Sequence, residues 1–156
     1  MKIQWKKLLI AVAIPLAIGG LASLISSGAM QAFGELNQPP LSPPAWLFPV
    51  VWTLLYVLMG IASYRVYISF SPEIEKKNAL FVYCLQLAFN FFWTIIFFNF
   101  QAYLFAFLWL LILWILILIT FLRFRKIDKP AGLMLLPYLA WVAFAGYLNF
   151  GIYLLN

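Results

Sequence analysis

The sequence predicts an all-α membrane protein, a bundle of five transmembrane helices, and three observations carry that prediction. Of its 156 residues, 67% are hydrophobic and only 9% charged, against about 45–50% and about 25% in water-soluble domains. It contains five apolar runs, each long enough for the about 20 helical residues that cross a bilayer. Its basic residues fall into alternate connections. A chain of this length cannot turn so much apolar surface inward, so its solvent is lipid, and residues 1–156 read as one membrane domain.

The first run, Leu8 to Ala32, holds Pro15 with Gly19 and Gly20 after it. Neighbouring helices in a membrane can re-satisfy the backbone groups that a proline frees, so a kinked helix is expected there. Lys2, Lys6 and Lys7 before the run, and Ser26-Ser27-Gly28-Ala29 near its end, resemble a cleavable signal peptide. The run exceeds the about 7–15 apolar residues of such a peptide and is therefore read as a crossing. A loop at 33–45 follows, with Pro39, Pro40, Pro43 and Pro44. These prolines fix φ, remove donors and stiffen the chain. The loop suits either a rigid connector or a lid over the outer mouth of the bundle.

The remaining crossings are expected at Trp46 to Ile68, Ala79 to Asn99, Ala102 to Leu122 and Ala131 to Leu155. The ten Lys and Arg residues then occupy the N-terminus, the second connection with its flanks (Arg65, Lys76, Lys77) and the fourth (Arg123, Arg125, Lys126, Lys129). With five crossings every one lies on the same side, which the positive-inside rule makes cytoplasmic. The N-terminus is then cytoplasmic, and the proline-rich loop and C-terminus lie outside. The net charge of +6 is thereby a topology signal rather than a nucleic-acid footprint, and no nucleic-acid partner is expected. A single cysteine, Cys84, excludes an intrachain disulfide.

Three runs carry a polar and aromatic stripe at helical spacing. The second has Phe48, Trp52, Tyr56, Met59 and Gly60, the third Gln86, Asn90, Trp93 and Phe97, and the fifth Tyr138, Trp141, Ala145, Leu148 and Asn149. An amide in hydrocarbon needs a partner, so Gln86, Asn90 and Asn149 should face inward, as interhelical glue or as ligand donors. Trp5 and Trp46 fit the interfacial belt, and lipid is a sufficient environment for Trp109 and Trp114. The sequence has no histidine, and its four acidic residues, Glu35, Glu73, Glu75 and Asp128, all fall in loops. Hydrolytic chemistry, a metal site and a proton-coupled pump lack their usual groups. What remains is an uncharged aromatic cavity whose guest would be large, flat and apolar.

Pro43-Pro44-Ala45-Trp46 with Trp52, Tyr56, Met59 and Gly60, then Asn90, Trp93 and Phe97-Phe98, then Pro137-Tyr138, Trp141, Phe144, Ala145, Leu148 and Asn149, together resemble the signatures of the translocator protein family. The resemblance implies a five-helix receptor or sensor for protoporphyrin and for isoquinoline-carboxamide or benzodiazepine-type ligands, in a bacterial plasma membrane. The binding residues it implies are Pro44, Phe48, Trp52, Tyr56, Asn90, Trp93, Trp141, Phe144, Ala145, Leu148 and Asn149, with the proline-rich loop as lid. Light-dependent porphyrin breakdown is credited to some members, and Trp52 and Trp141 are the catalytic candidates. No cofactor is required, porphyrin being ligand or substrate. The expected partners are lipid, that guest and a homodimer mate, although the third run has no GxxxG pattern to define a dimer face. Two rival readings are a transporter of porphyrins or other amphipaths, and a structural subunit whose stripes are packing glue.

Overall fold

The computed structural model describes residues 2–156. Its helices are α1 (Trp5–Phe33), α2 (Leu47–Tyr67), α3 (Glu73–Thr94), α4 (Tyr103–Ile127), α5 (Lys129–Leu133) and α6 (Leu136–Leu155), with a π-helical turn, Ile95–Asn99, continuing α3. Five stretches are long and apolar enough to cross a membrane, the fifth being α5 and α6 together. The all-α, five-span class read from the sequence is the one found.

α1 packs on α2 and on the α3 stretch, and α4 packs on α3 and α6. The run through Pro15 stays one helix. Pro15 lacks the N–H that would bond to the Ala11 carbonyl, and α2 closes on that spot through Gly60. A Cβ on Gly60 would lie 2.4 Å from Val12 Cα and 2.8 Å from Ala11 O, so only glycine allows this approach. α2 and α6 instead meet through rings, Phe48 on Trp141 at 5.9 Å and Trp52 on Tyr138 at 6.2 Å.

The fifth span departs from a single helix at its start. Asp128 caps α5 by accepting from Ala131 N at 3.1 Å, with Pro130 in the first turn. The chain then turns at Met134 and Leu135 before α6, which carries Pro137 in its first turn. A proline there offers no donor and crowds the carbonyl four residues back, so the helix restarts rather than continuing. The charged ends follow the helix dipole: Glu73 and Glu75 open α3, and Arg125 and Lys126 close α4.

Alternation of the five spans brings all basic side chains to one end, and contacts across elements tie that end together. Arg65 meets Asp128 at 2.7 Å, and Arg123 Nη1 donates to Asn78 O at 3.2 Å. The densely packed core lies in this half, with Met59, Ala62, Val66, Ala79, Ile117, Phe124 and Ala131 fully buried. Trp5 and Trp46, at opposite ends, are 64% and 66% exposed, as an interfacial belt requires. Trp109 and Trp114, for which lipid would have sufficed, instead turn inward. Their indoles donate to Phe89 O at 2.8 Å and Leu139 O at 3.0 Å, since an indole N–H in hydrocarbon gains from any acceptor in reach.

Candidate functional site

In the other half the helices separate around a cavity of about 520 Å³. α1 contributes Gly19, Ser23, Ser27, Met30 and Phe33; α2 and its approach contribute Ala45, Phe48, Pro49, Trp52 and Tyr56. The α3 stretch adds Trp93, Phe97 and Phe98, and α6 adds Trp141, Ala145, Leu148, Asn149 and Ile152. No lining side chain is charged. The volume lies within the roughly 300–1,000 Å³ of small-molecule sites.

The rings are arranged in contact with one another. Trp52 stacks on Tyr56 at 5.6 Å, Trp141 packs against Phe144 at 5.6 Å, and Trp93 stacks on Phe97 at 5.2 Å. The π turn, with Phe100 N bonded to Ile95 O at 3.2 Å, brings both Phe97 and Phe98 to the wall, their rings 4.9 Å apart and nearly perpendicular. Gly19 admits Tyr56: a Cβ there would sit 2.3 Å from the Tyr56 ring.

Beneath the cavity a directional chain of hydrogen bonds crosses the bundle. Tyr56 Oη donates to Asn90 Oδ1 at 3.3 Å, Asn90 Nδ2 to Tyr138 Oη at 2.7 Å, and Tyr138 Oη to Gln86 Oε1 at 2.7 Å. Gln86 Nε2 ends the chain on Met59 Sδ at 4.0 Å. A second set closes the wall: Trp93 Nε1 donates to Asn149 Oδ1 at 3.1 Å and Asn149 Nδ2 to Tyr103 O at 2.9 Å. The amides are thus engaged with protein, which answers their glue role. Among the described residues three buried polar atoms have no partner, Ser26 Oγ, Tyr83 Oη and Trp141 Nε1, and only Trp141 lines the cavity.

The proline-rich loop lies over the end of α6. Asn37 N donates to Asn156 Oδ1 at 3.1 Å, Asn156 Nδ2 to Asn37 O at 2.8 Å, and Tyr147 Oη to Pro40 O at 2.6 Å. Pro39 is buried against Gly151, whose Cβ would lie 2.6 Å from the proline ring. Leu41, 83% exposed, takes φ 69° at the loop tip.

Of the residues expected at a site, Phe48, Trp52, Tyr56, Trp93, Trp141, Ala145, Leu148 and Asn149 converge on the cavity. Three do not reach it. Asn90 lies in the hydrogen-bond chain below, Phe144 stands behind Trp141, and Pro44 is exposed on the loop where Ala45 takes the lining position. Sequence reading missed the α1 wall of Gly19, Ser23, Ser27 and Met30. The four-residue spacing of Gly19, Ser23 and Ser27, with Met30 three further on, is the available signal, but small residues in a membrane helix also signify close packing. Among the described residues no group of three or more His, Cys, Asp and Glu side chains is placed to hold a metal.

Comparison with known proteins adds a family match: the sequence model described as the TspO/MBR family matches residues 11–155. The chain is similar to the tryptophan-rich protein TspO of Chlorobaculum tepidum, 38% identical over 150 residues that cover 96% of this chain and 95% of that one. It is likewise similar to the tryptophan-rich sensory protein of Cereibacter sphaeroides, 38% identical over 125 residues, 80% of this chain and 76% of that one. The translocator protein of Ovis aries is 36% identical over 121 residues, 76% of this chain and 70% of its own.

Proposed function

Since this chain belongs to the TspO/MBR family, we propose that it is an integral membrane receptor or sensor that takes a flat, apolar guest into the aromatic cavity. The guest class is a tetrapyrrole such as protoporphyrin, or an isoquinoline-carboxamide or benzodiazepine-type molecule. The observation that carries this reading is the Trp141 Nε1–H, buried at the wall of an uncharged cavity with no acceptor among the described residues. An unsatisfied buried donor costs about 1–3 kcal/mol. A guest that presents a carbonyl or ring nitrogen recovers that cost once a turn of the Trp141 ring brings its N–H into the cavity, and Trp52, Phe48 and Trp141 offer it ring faces and edges. The acidic side arms of a porphyrin find no cation in the lining and stay at the mouth, in water.

Trp52 and Trp141 are also the indoles that would touch an illuminated porphyrin, and they are the residues we assign to its light-dependent breakdown. We assign the basic end of the bundle to the cytoplasm, which places the cavity and its loop toward the outside. Titration in detergent should quench protoporphyrin fluorescence with one saturable site. Trp141→Phe keeps an aromatic ring, though a smaller one, and removes the donor, so it should weaken an isoquinoline carboxamide about five- to tenfold. With Trp52→Phe added, light-dependent product should disappear. Saturable binding and product that both persist unchanged in the double variant would refute the assignment of these two indoles.

A further inference from the structure

At the basic end, remote from the aromatic cavity, three segments enclose a second recess of about 510 Å³. They are the start of the chain at Lys2 and Ile3, the end of α2 with its following turn, and the α4–α5 corner at Asp128. The walls are fastened. Gln4 N donates to Tyr64 Oη at 2.8 Å and draws the entering chain across the end of α2. Lys76 Nζ donates to Ser69 O at 3.0 Å and to Glu73 Oε1 at 3.3 Å, holding the turn in place.

The balance of donors and acceptors shows what this recess can take. Asp128 is its one carboxylate, and it is already used three times: by Arg65 Nε at 2.7 Å, Arg65 Nη2 at 3.3 Å and Ala131 N at 3.1 Å. Lys2 pairs with no carboxylate among the described residues, whose two ion pairs are Arg65 with Asp128 and Lys76 with Glu73. One positive charge is left over, and the third guanidinium nitrogen of Arg65 and the Ser71 hydroxyl supply further donors. A surplus of donors with net positive charge favours an anion. Beside it Phe70 is 94% exposed and Ile3 50% exposed, so apolar groups flank a basic recess, the pairing that a headgroup above acyl chains requires.

We propose that this recess holds the phosphate of an anionic lipid headgroup, with Lys2, Arg65 and Ser71 as donors and the acyl chains leaving past Phe70 and Ile3. The full-length protein, released from mixed nanodiscs and weighed intact with its bound lipids, should retain one phosphatidylglycerol in preference to phosphatidylcholine. Lys2→Gln with Ser71→Ala should lower that retention about fivefold or more. Lys6→Gln with Lys7→Gln removes more charge from the same end but outside the recess, and should leave the tight lipid in place. Inorganic phosphate alone should compete only weakly, because it lacks the chains. Phosphate that binds as tightly as the lipid, and is lost in the same variant, would overturn the lipid as source. Equal retention of the two lipids, or equal losses in the two variants, would overturn the site itself. A phosphatidylglycerol with a photoreactive headgroup gives a second reading on the unaltered protein: it should label the chain around residues 2–4, 64–71 or 127–128, and labelling elsewhere alone would also overturn it.

Discussion

Tyr138 joins the two halves of the bundle through one hydroxyl. It is 1% exposed, accepts from Asn90 and donates to Gln86, both at 2.7 Å. Removing that oxygen with Tyr138→Phe strands an amide donor on one side and an amide acceptor on the other. The expected loss is about 1–3 kcal/mol in unfolding from detergent. Adding Gln86→Leu should recover part of it, because deleting both partners is cheaper than orphaning one. Ligand affinity should hardly move, since Tyr138 does not line the cavity; a large loss of affinity with unchanged stability would contradict this role. Gly19 should behave in the opposite way. A methyl there strikes the Tyr56 ring at 2.3 Å, and that ring is held between Trp52 and Asn90. Gly19→Ala should therefore weaken protoporphyrin binding several-fold, whereas Gly20→Ala, with nothing within 4 Å of its new methyl, should leave the measured Kd as it was.

Helices in lipid gain nothing from hiding apolar surface from water, so element packing rests on close approach and on polar contacts. The α1–α2 crossing illustrates both. Pro15 frees the carbonyl of Ala11, and Gly60 brings α2 against Ala11 O and Val12 Cα. Because the two nearest atoms are backbone, Gly60→Ala cannot be relieved by shifting the Val12 side chain alone and must move a helix, a cost of about 1–3 kcal/mol. A thermal midpoint in detergent that is unchanged by Gly60→Ala would sink this account. The same elements show how far a sequence can be read. Stripes such as Phe48, Trp52 and Tyr56, or Trp93 and Phe97, are legible because a helix repeats and a membrane offers no water to an inward amide. The π turn at Ile95–Asn99 is not, because it adds a residue to one turn without any Pro or Gly to mark it, and so brings Phe98 to the wall as well. The role of Asn90 was half legible: its inward direction follows from polarity, but only coordinates place Tyr138 between it and Gln86. The α1 wall is not legible, because Gly19, Ser23 and Ser27 look the same whether a helix packs there or a guest does.

The whole molecule is asymmetric along its axis: a tightly filled half under a basic rim, and a hollow aromatic half under a proline-rich loop. One sequence pattern underlies the orientation we assign to it, because Lys and Arg near short loops resist translocation and none of the ten falls in the first loop, the third loop or after α6. The assignment is checked by labelling. With the exposed Cys84 replaced by Ser, a cysteine at Gln38 should react with an impermeant maleimide in intact cells, and one at Lys77 only after the membrane is opened. The reverse pattern would place the cavity mouth in the cytoplasm and with it the supply of ligand. Charge should be the cause as well as the correlate. Neutralising Lys2, Lys6 and Lys7 to Gln while placing lysines at positions 37 and 41 opposes the remaining clusters at the second and fourth connections. A mixed population, in which both Gln38-side and Lys77-side probes are partly labelled, is then expected. A population that stays uniform would mean that the proline-rich loop or the order of insertion, rather than the basic rim, determines which way the hollow half faces.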